Sequence, residues 1–131
     1  MSLGLLLSVG TGGFIGAILR FTLSGWVQKA SASTFPFGTL SVNILGSFLI
    51  GFLFLYFQHI NLSPIHKALF ITGMLGALTT FSTFSLDTVL LIQNEFYTKA
   101  LYNVLLNLLF SIGATVLGMM FFKRLYICFF L

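Results

Sequence analysis

The chain has 131 residues, of which 58% are hydrophobic and only 6% are charged, and its formal net charge is +4. This composition excludes a water-soluble domain, and six scattered basic residues form no basic face of the kind that binds nucleic acid. Uncharged stretches cover residues 1–19, 30–65, 68–86 and 100–122. Because about 20 apolar residues of helix cross a hydrocarbon core, we predict an all-α membrane protein. Its four transmembrane helices fill the chain as a single domain, residues 1–131, surrounded by membrane lipid.

The first predicted span covers residues 3–27 and carries small residues on one face. Ser8, Gly12 and Gly16 recur every fourth residue, and residues four apart share a helix face. Such a stripe lets another helix approach closely. Arg20 continues the same face, where it either extends to the lipid headgroups or draws anions into a vestibule.

Polar stripes mark the second and fourth predicted spans, at residues 36–57 and 99–124. In each span, amide and hydroxyl side chains recur every fourth residue: Thr39, Asn43 and Ser47 in the second, and Asn103, Asn107, Ser111 and Thr115 in the fourth. A stripe of this kind faces protein or water rather than lipid. Packing between helices is one role for these side chains, and donating hydrogen bonds to a passing ion is the other.

The third predicted span, residues 66–94, contains the most irregular stretch of the chain, GMLGALTTFSTFS at residues 73–85. Glycines followed by clustered hydroxyls form a poor continuous helix, so we predict that this helix is broken in mid-membrane near residues 76–83. Irregular backbone at this depth is tolerated only where protein or a water-filled cavity surrounds it. The break is therefore a candidate binding or conduction site.

The side chains in the spans favour an anion as ligand. The sequence has no catalytic triad order, no metal-spaced His and Cys set and no phosphate-binding glycine loop, so we predict that the protein is not an enzyme. What the spans offer is hydrogen-bond donors and one arginine. Phe81 and Phe84 suit an anion because the edge of an aromatic ring carries positive charge. Packing against lipid or neighbouring helices is the alternative role of these rings.

The basic residues give little bias in orientation. In a four-span protein both termini share one side, so the two sides hold three and two basic residues, respectively: Lys67, Lys123 and Arg124 against Lys29 and Lys99. A clear excess is needed to fix a topology. We hypothesise that the chain inserts in both orientations and that opposite copies pair as an antiparallel, dual-topology homodimer.

Three motifs resemble a known family, the small bacterial fluoride channels called Fluc or CrcB. They are GGFIGA at residues 12–17, followed by Arg20; PFGTLSVN at residues 36–43; and GMLGALTTFSTF at residues 73–84. The resemblance covers nearly the whole chain. It implies a dual-topology homodimer with two pores in the bacterial cytoplasmic (inner) membrane. Such a dimer passively lets the fluoride ion leave the cell and so relieves fluoride toxicity.

The resemblance also implies roles for individual residues. The predicted fluoride pore contains one amide, two rings and a polar track beside them: Asn43, Phe81, Phe84, Ser82 and Thr83. The polar stripes add three further pore residues: Thr39, Asn107 and Ser111. Arg20 is expected at the vestibule or dimer interface.

A structural sodium ion (Na+) at the dimer interface is implied as well. Gly76 and Thr79 would give it backbone carbonyls from both subunits, and such carbonyls at a helix break suit a hard cation. In the fourth span the family commonly has Tyr and Ser where this chain has Asn103 and Asn107. An amide could still donate to the same anion.

Two other functions stay open from the sequence. A small multidrug-type exporter would also be a four-span, dual-topology dimer, but it needs a titratable carboxylate in its first span, and this sequence has none there. A nonconducting membrane scaffold would pass no ion at all. Fluoride efflux from liposomes, with chloride as control, separates the three functions.

Overall fold

The computed structural model describes residues 2–130, with side chains for residues 2–128, and every regular element in this part is helical. The elements are α1 (Leu3–Ser31), α2 (Phe37–His59), α3 (Pro64–Lys67), a π-helical segment π1 (Ala68–Leu75), α4 (Gly76–Leu78), α5 (Phe81–Gln93) and α6 (Tyr97–Phe130). Four helical stretches of the described chain are long and apolar enough to cross a membrane: Leu3–Ser31, Phe37–His59, Pro64–Gln93 and Tyr97–Cys128. The prediction of an all-helical protein with four spans is confirmed.

The small-residue face of α1 packs directly on the backbone of π1. A Cβ atom added at Gly12 would lie 2.0 Å from the carbonyl oxygen of Leu69, and one at Gly16 would lie 2.1 Å from that of Met74. Only glycine therefore permits this approach. This contact places the small-residue face of α1 against the third span at Leu69 and Met74. Arg20 lies on the same face, one turn beyond Gly16.

Helix α2 lies centrally and packs along α6 through a second pair of glycines. A Cβ atom at Gly51 would lie 2.2 Å from the carbonyl oxygen of Thr115, and one at Gly118 would lie 2.1 Å from that of Phe48. Between α2 and the third span sits a small apolar core of three buried side chains: Val42, Leu75 and Leu78. These contacts bring the polar stripes of α2 and α6 together beside the third span.

Two residues, Thr79 and Thr80, interrupt the third span near its middle, and we call this pair the interruption. Their backbones are extended, with ψ of 156° at Thr79 and 119° at Thr80. The Thr80 hydroxyl then caps α5 by accepting a hydrogen bond from the Thr83 N–H at 3.2 Å. A new helix therefore begins at Phe81, in the middle of a segment that crosses the membrane.

Two helices run beyond the spans expected from hydropathy. Helix α1 continues to Ser31 rather than residue 27, and α6 continues to Phe130 rather than residue 124. Hydropathy marks where the chain leaves the hydrocarbon, whereas a helix can continue into the interface. The last turns of α6 are also supported by packing, because the His59 ring meets the Tyr126 ring at 4.4 Å.

Candidate functional site

The Asn43 side chain takes over the backbone hydrogen bonds that the interruption removes from the helix. Its Oδ1 accepts from the Thr80 N–H at 2.8 Å, and its Nδ2 donates to the Thr80 carbonyl at 3.2 Å. In a continuous helix the Thr80 N–H would donate to the carbonyl of Gly76. The amide of α2 thus pairs with an extended backbone that would otherwise be unsatisfied inside a membrane.

A chain of amides continues from Asn43 into α6. The Asn43 Nδ2 donates to the Asn107 Oδ1 at 2.9 Å, and the Asn107 Nδ2 donates to the Oδ1 and to the backbone carbonyl of Asn103, both at 2.9 Å. The Asn103 Nδ2 donates to the Thr88 hydroxyl at 2.9 Å, which donates to the carbonyl of Phe84 at 2.8 Å. We call this series of bonds, from Thr80 to Phe84, the amide relay.

A cleft of about 340 Å³ lies beside the interruption. Seven of the predicted pore and sodium residues line it: Asn43, Gly76, Thr79, Phe81, Phe84, Asn107 and Ser111. They come from α2, from α4 to α5 and from α6, far apart in sequence. The structure therefore brings most of the predicted pore and sodium residues to one place on the protomer.

Three other predicted residues line a second cavity of about 260 Å³, on the other side of the interruption: Arg20, Thr39 and Thr83. Thr80 borders both the cleft and this cavity. The arginine side chain is half-buried and supplies the one formal charge among the residues that line either space. Ser82 lines neither, but its hydroxyl lies 3.2 Å from the hydroxyl of Thr80, so it joins the same polar group.

The two phenylalanine rings separate the cleft from an apolar groove. Phe81 and Phe84 have ring centroids 5.3 Å apart at an interplanar angle of 56°, so one ring presents its edge obliquely to the other. Both rings also line a groove of about 420 Å³ with Val89, Val104 and Leu108. Phe84 is 7% exposed, whereas Phe81 is 75% exposed on the single chain.

Asp87 bonds to a neighbouring helix rather than within its own. Its carboxylate accepts a hydrogen bond from the Thr39 hydroxyl at 2.6 Å, which joins α5 to α2. A third cavity of about 300 Å³ is lined by both residues, together with Ser24 and Gln28. Because Thr39 and Ser24 also line the Arg20 cavity, polar side chains continue from the interruption towards the end of α1.

The carbonyls of Gly76 and Thr79 lose their usual helical donors at the interruption. The Thr80 N–H donates to Asn43, and the Thr83 N–H donates to the Thr80 hydroxyl. Within residues 2–130, no group of three or more His, Cys, Asp or Glu side chains could hold a metal ion. Backbone carbonyl oxygens are among the ligands that hard cations accept in proteins.

Three residues that organise the site were not among the predicted pore residues: Thr80, Thr88 and Asn103, of which only Asn103 belonged to a predicted polar stripe. Asn103 is fully buried, at 0% exposure, and Thr80 is 7% exposed. The available signal for Asn103 was its four-residue spacing from Asn107, which placed both amides on one helix face. The capping role of Thr80 depends on where α5 begins, which the sequence alone does not locate.

These features define a multi-pass helical membrane protein with a cleft beside an interruption of its third span, lined by amide and hydroxyl side chains together with aromatic and aliphatic ones. A family profile described as CrcB-like protein, Camphor Resistance (CrcB), matches residues 7–119. The chain belongs to this family, which confirms the resemblance noted from the motifs.

Individual relatives agree with the family assignment. The chain is 63% identical over 122 residues to a protein of a Sulfurovum species named fluoride-specific ion channel FluC, with 93% of this chain and 96% of that protein covered. A protein with the same name from a Nitratiruptor species is 52% identical over 96% of this chain and 98% of its own length. A third, from Campylobacter jejuni, is 50% identical over 92% of this chain and 99% of its own length.

Proposed function

We propose that the protein is a passive channel selective for fluoride, which lets fluoride leave the cytoplasm across the bacterial inner membrane. One observation carries this proposal: donors and aromatic rings from three separate parts of the chain converge on one cleft at the interruption. Relatives that match nearly the whole chain are named fluoride-specific ion channels. A channel, unlike an enzyme, needs only a path and a way to replace the water of its ion.

Replacing the hydration of fluoride requires several groups acting together. A Born estimate for a small ion in a medium of low dielectric is on the order of tens of kcal/mol. A hydrogen bond to a charged group contributes only about 1.5–3 kcal/mol. In the cleft, the anion competes with the Asn107 oxygen for a hydrogen of Asn43, meets the Ser111 hydroxyl, and is bordered by the edges of Phe81 and Phe84. Arg20 raises the local anion concentration in the neighbouring cavity.

We propose that a second copy of the chain, in the opposite orientation, completes the pore. Ser82 and Thr83 are exposed on the single chain beside the interruption, and Phe81 is 75% exposed there. Hydroxyls at this depth are stable against protein or water but not against hydrocarbon. Pairing over this face would enclose the cleft, and two copies would give two equivalent pores at the seam.

The dual topology can be tested by labelling the N-terminus from each side of the membrane. In a Cys128→Ser background, Ser2→Cys provides one reactive thiol near the start of α1. We expect a membrane-impermeant maleimide to label part of the protein in intact cells and the remainder after permeabilisation. Labelling from one side only would contradict the antiparallel pairing.

A structural sodium ion at the subunit interface is also proposed. The carbonyls of Gly76 and Thr79 fit it, because their helical donors bond elsewhere and sodium prefers oxygen ligands. When bound, the ion would supply positive charge between carbonyl dipoles and would tie the two copies together. Efflux and dimerisation that are unchanged in protein prepared and assayed with potassium as the sole alkali cation would rule this site out.

Fluoride efflux from liposomes tests the function directly. Liposomes loaded with potassium fluoride and containing the pure protein should release fluoride when valinomycin carries the balancing potassium. The same liposomes loaded with potassium chloride should release chloride no faster than protein-free liposomes. No fluoride release by folded protein purified and assayed with sodium present would overturn the proposal, and equal release of the two halides would remove its selectivity.

A further inference from the structure

The amide relay begins and ends on one short stretch of backbone. Its first donor is the N–H of Thr80 and its last acceptor is the carbonyl of Phe84, four residues further along. Between these ends the hydrogen bonds run through Asn43, Asn107, Asn103 and Thr88. The relay is therefore a closed circuit that fastens the first turn of α5 to both α2 and α6.

The two ends fix the direction of every bond in the circuit. A backbone N–H can only donate and a carbonyl can only accept. Asn43 must turn its oxygen towards the Thr80 N–H, so its nitrogen faces Asn107, and each later amide follows in the same sense. Aligned donors and acceptors in a dry interior strengthen one another. Each amide of the relay consequently has one satisfied orientation.

Asn103, like Thr88, belongs to the part of the circuit that does not line the cleft. It is 0% exposed and does not line the 340 Å³ cleft, whereas Asn43, Asn107 and Phe84 do. Its Oδ1 holds the Asn107 amide and its Nδ2 holds the Thr88 hydroxyl. Burying an asparagine costs free energy unless its polar atoms are hydrogen-bonded, and both polar atoms of the Asn103 side chain have partners.

We infer that Asn103 is a positioning residue for permeation: through Asn107 it orients the Asn43 amide, and through Thr88 it places the first turn of α5, with the Phe84 ring. This inference rests on the proposed fluoride channel. It assigns Asn103 no contact with the ion, so its effect appears in how well the cleft distinguishes fluoride from chloride.

The test compares Asn103→Leu with Thr88→Val and with the double variant. Asn103→Leu leaves Thr88 bonded to Phe84 and leaves Asn107 one acceptor, the backbone carbonyl of residue 103. One of the two Asn107 Nδ2 hydrogens loses its partner, and the buried leucine side chain offsets that cost. Thr88→Val strands the Asn103 Nδ2 in the interior, and the double variant removes that stranded group again. A purely structural role predicts that activity follows stability in this series.

We expect fluoride efflux to fall about tenfold in Asn103→Leu, because the variant removes two buried hydrogen bonds, one to Asn107 and one to Thr88. The ratio of fluoride to chloride efflux should fall as well, although the unfolding midpoint stays close to that of the wild type. The double variant should recover the stability that Thr88→Val loses but not its efflux. Thr115→Val is the matched control, because this hydroxyl lies on the same face of α6 and bonds only to the carbonyl of Ser111.

The outcomes separate the inference from the proposed function. If the wild-type protein passes no fluoride, both the proposed channel function and the inference about Asn103 are overturned. A conducting wild type with unchanged efflux and selectivity in Asn103→Leu overturns the inference alone, as does a double variant that regains efflux together with stability. If Asn103→Leu does not fold, Thr88→Val and Thr88→Ser decide: serine keeps the hydroxyl and should conduct, whereas valine should not.

Discussion

Replacing Asn43 with alanine should abolish fluoride efflux and destabilise the fold, the largest combined effect we expect from any one substitution. Three polar groups lose their partner at once: the N–H and carbonyl of Thr80 and the Oδ1 of Asn107. Each stranded buried group costs about 1–3 kcal/mol, so we expect a loss of at least about 3 kcal/mol. Efflux should fall by at least about a hundredfold, since every 1.4 kcal/mol is a factor of ten.

The measurements are fluoride efflux from liposomes and unfolding in detergent. Ser41→Ala is the control, because it lies in the same helix and its hydroxyl bonds only to the carbonyl of Gly38. We expect this variant to match the wild type in both assays. An Asn43→Ala protein that conducts fluoride normally would show that the interruption needs no support from α2.

Replacing Phe81 with isoleucine should reduce fluoride efflux while leaving the single chain stable. The ring is 75% exposed on the single chain, so little packing is lost, and substitutions at such positions usually change stability by no more than about 0.5 kcal/mol. Isoleucine is apolar but has no positively charged ring edge. The loss of one aromatic contact, about 0.5–1.5 kcal/mol, predicts a decrease in efflux of about two- to tenfold.

Phe14→Ile provides the matched control for Phe81. Phe14 is 68% exposed on α1, and it lies away from the Gly12 and Gly16 face that packs on π1. Its replacement should leave efflux and unfolding unchanged. If Phe81→Ile and Phe14→Ile behave alike, the rings serve only as apolar surface and take no part in ion recognition.

The four spans could be predicted because they depend on a local property, the length of uncharged apolar chain. The stripes were equally accessible, since a four-residue spacing determines which side chains share a helix face. That spacing put Asn43 of α2 and Asn107 of α6 on polar faces, and in the structure their amides meet at 2.9 Å. Because periodicity determines which side chains share a helix face, a polar contact between α2 and α6 could be expected.

The partners within the site could not be predicted, because they depend on tertiary register. Asn43 pairs with Thr80 only because α2 passes the interruption at that level, where Gly46 leaves room for the Thr79 side chain. A Cβ atom at Gly46 would lie 2.4 Å from the Thr79 methyl group. The π-helical geometry of Ala68–Leu75 likewise accompanies a backbone contact with Gly12 and Gly16 that hydropathy does not encode.

The central claim is that the cleft at the interruption forms a path that admits fluoride and rejects chloride. The most direct measurement is the reversal potential of the current through the purified protein in a planar lipid bilayer, with fluoride on one side and an equal concentration of chloride on the other. The account predicts a current that reverses only when a large voltage opposes the flow of fluoride. Reversal near zero, which means that both halides pass equally, would contradict it.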